Sequence, residues 1–415
     1  MTIRNLLSLT TASLCSVALA IPLTSQAEGF TEDAKINLGL RNFYINRNFT
    51  NPSHSQARGE EWTQSFILDA RSGFTKGTVG FGIDVLGLSA IKLDGGKGTR
   101  GTQLLPIHDD GRPADSFGRL GVAAKMRISK TELKVGEWMP VLPILRADDG
   151  RSIPQTFQGA QISSAEIENL TLYAGQLRSN SPRNDASMED MSYKSGSSDR
   201  FNFAGGEYTF NQKRTLVGAW YSKLEDVYNQ QYVNLVHSQP VGSWILGANL
   251  GYFNGKDDGS ARAGALDNQT YSGLFSAKTG NHTLYVGLQK VSGDSGWMRV
   301  NGTGGGSVAN DSFNNSYDNT GERSWQVRYD YSFAGAGIPG LVLMNRYISG
   351  DSIEVDSTSK NGKEWGRESE LAYTLQSGPL KNLNIKWRNS TLRRDFSTNE
   401  FDENRLIINY PISLL

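Results

Sequence analysis

Two pairs of cations set the first chemical question. Lys125 stands two residues before Arg127, and Lys386 two before Arg388. In an extended chain successive side chains point to opposite faces, so the members of each pair share one face about 7 Å apart. Fixed positive charges at that spacing can hand an anion from one to the next without holding it tightly, which is what conduction requires. Arginine suits a carboxylate because its planar fork makes two parallel hydrogen bonds and keeps its proton. A second candidate is Ser295, which follows Asp294 between two glycines, with His237 and His282 earlier in the chain. A hydroxyl nucleophile needs a base within hydrogen-bond reach and a carboxylate to orient that base, so the elements carrying the histidines decide this reading. His54, His108, His237 and His282 are scattered without ligand spacing, and neither a metal nor another cofactor is expected.

The strongest periodicity along the chain is two. In Arg119–Ile128, Leu120, Val122, Ala124, Met126 and Ile128 face one way and Arg119, Gly121, Ala123, Lys125 and Arg127 the other, the pattern of a strand with one apolar and one polar side. The same unit recurs at Val79/Phe81/Ile83/Val85, Leu246/Ala248/Leu250/Tyr252, Leu284/Val286/Leu288 and Leu383/Ile385/Trp387. Its connectors alternate in length. Short turns fall near 75–77, 129–130, 163–168, 211–213, 239–243, 279–281, 335–339 and 377–382, and longer polar segments near 46–61, 88–118, 138–154, 178–199, 222–230, 253–268, 291–323, 348–365 and 392–402. The tally predicts an all-β chain, a transmembrane antiparallel β-barrel of about 18 strands with short periplasmic turns and long extracellular loops. Lipid offers no hydrogen-bond partner, so strands at membrane depth must close on themselves. Tyr329, Tyr331, Tyr347, Tyr373, Trp387 and Tyr410 lie towards strand ends, where amphipathic rings suit the lipid–water boundary. Two stretches, 155–163 and 228–237, alternate poorly.

Composition excludes other classes. Charged residues make up 20% of the chain, Gly number 46 and Pro 12, and Lys plus Arg balance Asp plus Glu at 42 each. That balance leaves no nucleic-acid-binding surface or polybasic tail, and electrostatic selectivity must come from local clustering. At the start, Arg4, the apolar run Leu6–Ile21 and the small residues Ser25 and Ala27 have the three-part layout of a secretory signal. Residues 1–27 are therefore expected to be a cleaved signal peptide and 28–415 one barrel domain in the bacterial outer membrane. The sole cysteine, Cys15, lies in the signal. After residue 27 no stretch is apolar enough for a spanning helix.

Longer stretches carry a family resemblance. Trp297-Met298-Arg299-Val300-Asn301-Gly302-Thr303, followed by Ala309-Asn310-Asp311-Ser312, resembles the seventh extracellular loop of the OprD family of substrate-specific porins from pseudomonads. Trp138-Met139-Pro140-Val141-Leu142-Pro143, Pro154-Gln155-Thr156-Phe157, Gln230-Gln231-Tyr232, Met344–Asp351 and Gln376-Ser377-Gly378-Pro379 add to it, and the resemblance covers essentially all of the chain after residue 27. It implies an 18-stranded monomeric barrel whose third loop folds inward and, with the seventh, narrows the pore to an eyelet. It also implies a row of basic side chains that guides substrate carboxylates. The length is closer to the shorter, carboxylate-specific (OccK-like) subgroup than to the subgroup for basic amino acids and peptides. The chain ends in Leu415 where many outer-membrane proteins end in Phe, so recognition by the barrel-insertion machinery rests on Leu and Tyr410.

Alternation places Arg41, Arg71, Arg119, Lys125, Arg127, Lys134, Arg328, Lys386 and Arg388 on the lumenal face, since a cation on the lipid face at mid-membrane costs about 2–4 kcal/mol; the resemblance adds Arg346 and Arg367. These cations could instead neutralise lumenal Asp69, Asp84, Glu132, Asp330, Glu368 and Glu370. For the eyelet, the third loop offers Arg146, Asp148, Asp149 and Arg151 among Pro140, Pro143 and Pro154, and the seventh offers Asp294, Ser295 and Asp311. Asp294 and Asp311 could supply negative charge opposite the basic row, although Asp beside Gly293 or Asn310 also suits a turn. The expected function is facilitated diffusion of small nutrients, aromatic or other carboxylates. Uptake of basic amino acids and small peptides is the alternative within the family. From another class comes a serine peptidase at Gly293–Gly296, which resembles the nucleophile segment of chymotrypsin-type enzymes except that Trp297 stands where a final glycine belongs. The expected partners are small-molecule carboxylates, outer-membrane lipid and the insertion machinery, with no nucleic acid, and the barrel is expected to be a monomer or a weak homo-trimer.

Overall fold

The computed structural model describes residues 29–356, 359 and 361–415; the expected signal peptide and Cys15 lie outside them. Its main element is one 18-stranded antiparallel sheet. The strands are β1 Lys35–Phe49, β2 Arg58–Arg71, β3 Val79–Gly95, β4 Ser116–Ile128, β5 Thr131–Trp138, β6 Thr156–Ser164, β7 Leu170–Ser181, β8 Phe201–Phe210, β9 Thr215–Leu224, β10 Tyr228–Val241, β11 Trp244–Asp257, β12 Asp267–Thr279, β13 His282–Ser292, β14 Arg323–Ser332, β15 Leu341–Ile353, β16 Gly362–Thr374, β17 Asn384–Arg394 and β18 Phe401–Ser413. Each pairs with its neighbours in sequence, and β1 pairs with β18 from Asn37↔Ser413 to Phe49↔Phe401. The sheet therefore has no free edge, and its backbone groups are satisfied where lipid could not satisfy them.

The connectors alternate as the sequence predicts, with two departures: the turns 333–340 and 375–383 are longer than the loop 395–400, and one expected loop is short. The segment expected to be a long loop at 222–230 is only 225–227, because β10 begins at Tyr228. The two poorly alternating stretches are strands, β6 and β10. In β10 the inward face holds Tyr228, Gln230, Tyr232 and Asn234, all buried, so polar residues lie on both sides and the apolar period is lost.

The outward face carries large exposed side chains such as Phe81, Leu120 and Leu288, in keeping with a lipid-facing wall. The interior is divided. Against β6–β12 the third loop (139–155), the fourth (182–200) and the seventh (293–322) pack an apolar mass that includes Leu142, Ile144, Phe157, Leu177, Phe203, Trp220, Tyr232, Phe253, Trp297 and Met298. Gly205 makes room for it, since a Cβ there would lie 2.5 Å from the Trp220 ring. Strands β14–β18 and β1 carry ion pairs on their inner faces instead, which places the polar passage to one side of the barrel.

Candidate functional site: the constricted lumen

Two loops narrow the lumen, each pinned to the wall by named bonds. In the third loop, Asp149 takes both guanidinium nitrogens of Arg41 on β1, at 2.7 and 3.1 Å, and the Arg151 carbonyl accepts from the same side chain at 2.8 Å. Ser152 Oγ lies 2.8 Å from Thr63 Oγ1 on β2. The loop is stiffened by a small hairpin, Val141–Leu142 with Leu145–Arg146. The seventh loop runs along the inner wall from β12 to β18. Ala309 N donates to Ser272 Oγ at 2.7 Å, Asn310 Nδ2 to Ser324 Oγ at 2.7 Å, Phe313 N to Glu368 Oε1 at 3.0 Å and Asn314 Nδ2 to Ser390 Oγ at 2.7 Å. The loops meet where Gly304 N donates to the Arg146 carbonyl at 2.9 Å and Ser307 Oγ to that of Pro143 at 2.5 Å.

The basic residues run across the strands rather than along them. Arg328 on β14 is directly opposite Arg346 on β15, Arg346 opposite Glu368 on β16, Glu370 opposite Arg388 on β17, and Arg388 opposite Arg405 on β18. Each arginine is held by acid: Arg328 by Asp330 at 2.6 Å, Arg346 by Glu368, Arg388 by Glu370 at 2.5 Å, and Arg405 by Glu403 at 2.5 Å. Glu403 is shared with Arg47 at 2.7 Å. Phe313, at the tip of the seventh loop, lies under the guanidinium of Arg388 at 3.9 Å and that of Arg346 at 5.3 Å, a cation–π arrangement that fixes the planes of both forks. Lys386, next along β17, has no ion-pair partner among the described residues. With Arg394, paired to Glu364 at 2.7 Å, eight cations including Arg41 thus face six carboxylates, Asp149, Asp330, Glu364, Glu368, Glu370 and Glu403.

Other expected site residues are placed differently. Arg119 faces inward but is buried as a staple, donating to the carbonyls of Pro154 and, at 2.7 Å, Asp185, so it holds the third and fourth loops rather than touching the passage. Arg367 is corrected outright. Its strand buries Glu364, Glu368 and Glu370, so Arg367 falls on the outer face with Trp365 and donates to Asn389 Oδ1 at 2.7 Å. Lys125 and Arg127 are inward but at the periplasmic end. There Asp84 pairs with Lys125 at 2.6 Å and Lys134 at 2.7 Å, and Arg127 lies 4.1 Å over the ring of Phe74. Arg146 packs along Gly304 and Gly306. Asp148 pairs with Arg183 at 2.7 Å; although burial opposes it, that guanidinium and the Gly150 N–H hold its carboxyl below the usual range. Arg151 is buried, donating at 2.8 Å to Thr102 O; burial, with Arg405 and Arg183 nearby, lowers its pKa well below the usual value.

Asp294 is exposed at the base of the seventh loop and does not enter the constriction. Asp311 is within the loop, accepting from Ser316 Oγ at 2.8 Å, and burial pushes its carboxyl up to about 6. Ser295 is fully buried and donates to the Asp267 carbonyl at 2.9 Å. His282 opens β13 at the periplasmic side and pairs with Tyr329 Oη at 2.7 Å, while His237 pairs with Thr215 Oγ1 at 2.8 Å. The length of β13, about 3.4 Å per residue, separates Ser295 from His282, and among the described residues no histidine is hydrogen-bonded to the serine.

Sequence reasoning missed Arg47, Arg405, Arg183 and Phe313. The signal for Arg405 was present in the alternation of Phe401, Glu403, Arg405 and Ile407, but the run Leu406-Ile407-Ile408 offers apolar residues to both faces.

A closed 18-stranded barrel whose loops fold inward onto a charged wall defines a transmembrane channel of the porin class. The chain belongs to the OprD family of outer membrane porins, matched over residues 28–414, and is a non-enzymatic channel of the outer membrane. It is 66% identical to the porin-like protein GalP of Pseudomonas putida over 96% of this chain and 97% of that one. Among solved structures it is similar to a BenF-like porin from Pseudomonas fluorescens, with 70% identity and a TM-score of 0.92 over 93% of this chain and all of that one. OccK2 of Pseudomonas aeruginosa in complex with glucuronate gives 62% and 0.86, over 94% and 100%. OpdK of the same organism, with vanillate, gives 52% and 0.88, over 93% and 100%.

Proposed function

We propose that this porin passes small organic carboxylates, sugar acids or aromatic acids, with Arg328, Arg346, Arg388, Arg405 and Lys386 as the guiding row. The observation that carries the reading is the excess of cations over carboxylates on β14–β18 and β1, joined to an arginine ladder that crosses five adjacent strands. Each resident acid orients an arginine fork and lowers its net attraction, so an entering carboxylate can exchange from one fork to the next without being trapped. Lys386 makes no ion pair among the described residues, so an entering carboxylate has no bound acid to displace there. Two solved relatives whose complexes contain glucuronate and vanillate, both carboxylates, support the same substrate class.

The test is single-channel recording of refolded protein with glucuronate, vanillate, benzoate and arginine at low salt. The acids should interrupt or carry current at lower concentration than arginine. Stronger interaction with arginine than with every acid would overturn the reading in favour of basic amino acids.

A further inference from the structure

The misplaced cation on the outer face has neighbours. Lys290 on β13, Arg323 on β14, Lys363 and Arg367 on β16 and Arg393 on β17 all face outward towards the extracellular ends of adjacent strands. Lys290 is opposite Arg323, and Arg367 is opposite Tyr347. Among the described residues two carboxylates answer them, Asp351 to Arg323 at 2.8 Å and Asp402 to Arg393 at 3.0 Å. Lys290, Lys363 and Arg367 have no carboxylate partner among the described residues.

The level of this patch is marked by three rings on the same face. Trp325, Tyr347 and Trp365 are all exposed, with centroids 5.7 and 5.9 Å apart, and such rings settle at the lipid–water boundary. Arg323 and Lys363 lie one outward position beyond Trp325 and Trp365 towards the extracellular end, and Arg367 lies one outward position on the other side of Trp365, level with Tyr347. A cation on the lipid face costs about 2–4 kcal/mol at the midplane but about 0–1 at the interface, so this is the depth at which unpaired cations are tolerated and meet headgroups.

We propose that the outer face of β13–β17 binds the phosphates of lipopolysaccharide, the phosphorylated glycolipid of the outer leaflet. The net positive patch complements its charge, the three guanidinium forks of Arg323, Arg367 and Arg393 suit phosphate oxygens, and the ring belt lies against the top of its acyl chains. The surface is separate from the lumen, where Glu364, Glu368 and Glu370 occupy the opposite face of β16.

The experiment compares wild type with Lys290→Gln/Lys363→Gln/Arg367→Gln in nanodiscs containing lipopolysaccharide, phosphatidylglycerol or phosphatidylcholine, reading retained lipid by native mass spectrometry. Lipopolysaccharide retention should fall roughly fivefold per cation removed, on the order of a hundredfold for three, while conductance is unchanged. Equal retention by wild type and variant would overturn the proposal, as would wild-type retention of phosphatidylglycerol as strong as that of lipopolysaccharide. If the triple variant does not fold, Lys363→Gln alone is used on the same terms. Arg388→Gln serves as the lumenal control, expected to change flux and leave lipid retention intact.

Discussion

Lys386 and Arg388 stand two residues apart on one strand, yet they should respond differently to the same change. Arg388 is tied to Glu370 and lies over Phe313, so Arg388→Gln leaves a buried carboxylate without its cation. Such breaks cost about 3–5 kcal/mol in a dry interior and less in a wet lumen. Lys386→Gln strands no acid. We expect Lys386→Gln to leave the unfolding midpoint in denaturant unchanged while lowering carboxylate flux, most strongly at low ionic strength, because screening acts over about 8–10 Å at physiological salt. Arg388→Gln should lower both, and Arg388→Gln/Glu370→Gln should regain stability without regaining flux. Wild-type flux in Lys386→Gln at low salt would remove that residue from the row. At this scale the sequence was partly legible. Alternation correctly turned Arg41, Arg328, Lys386 and Arg388 inward, because the lipid–lumen contrast acts on every second residue. It could not tell Arg119 from Arg388, since only the folded loops decide which inward cation is covered.

The seventh loop is the element on which the constriction depends, and two of its acids are held against their ordinary ionisation. Asp311 has its carboxyl pushed up by burial from 3.8 to about 6, and Glu322 is pushed up to about 9 by burial and the adjacent Glu364 carboxylate. Asn319 Nδ2 bridges the two glutamates at 2.7 and 2.9 Å. A group whose folded pKa is raised binds more protons in the docked loop, so docking weakens as pH rises through the interval between the two values. For Asp311 that interval is about 4 to 6, with the full penalty above 6; for Glu322 it ends only near 9. Hydrogen exchange of the seventh-loop amides, corrected for intrinsic rates, should therefore quicken between pH 4 and 6, by on the order of tenfold or less given partial exposure. Asp311→Asn should flatten that dependence below pH 6 and leave the part at higher pH; an unchanged profile in the variant would assign the effect elsewhere. Gly350 shows why the glutamates can sit so close to the sheet. A Cβ at that position would collide with Glu322 Oε1, so Gly350→Ala should displace the loop and raise conductance, measured in planar bilayers. The inward course of this loop was legible only through family resemblance. Its Gly- and Asn-rich sequence gives no period, and its hydrogen bonds run to side chains on nine different strands, β1, β10 and β12–β18.

For the molecule as a whole, closure was the most legible feature and eccentricity the least. Membrane depth forces every strand to find two partners, so counting alternating segments and connectors was enough to reach 18 strands and the β1–β18 seam. The division of the interior into an apolar half under three loops and a charged half along β14–β18 comes from contacts between segments up to hundreds of residues apart, which no local period records. The orientation that follows can be tested with inserted epitope tags. Gly264, between β11 and β12, and Gly280 and Gly378, in the turns after β12 and β16, all have positive φ, are exposed and have no atom within 4 Å of an added Cβ. An insertion at any of them should spare the wall, because no ladder hydrogen bond or packed side chain is displaced. On intact cells the tag at Gly264 should bind antibody, whereas those at Gly280 and Gly378 should do so only after the outer membrane is permeabilised. Labelling at Gly280 without permeabilisation, with Gly264 silent, would invert the barrel. It would put the seventh loop and its constriction on the periplasmic side, where they could not screen solutes on entry.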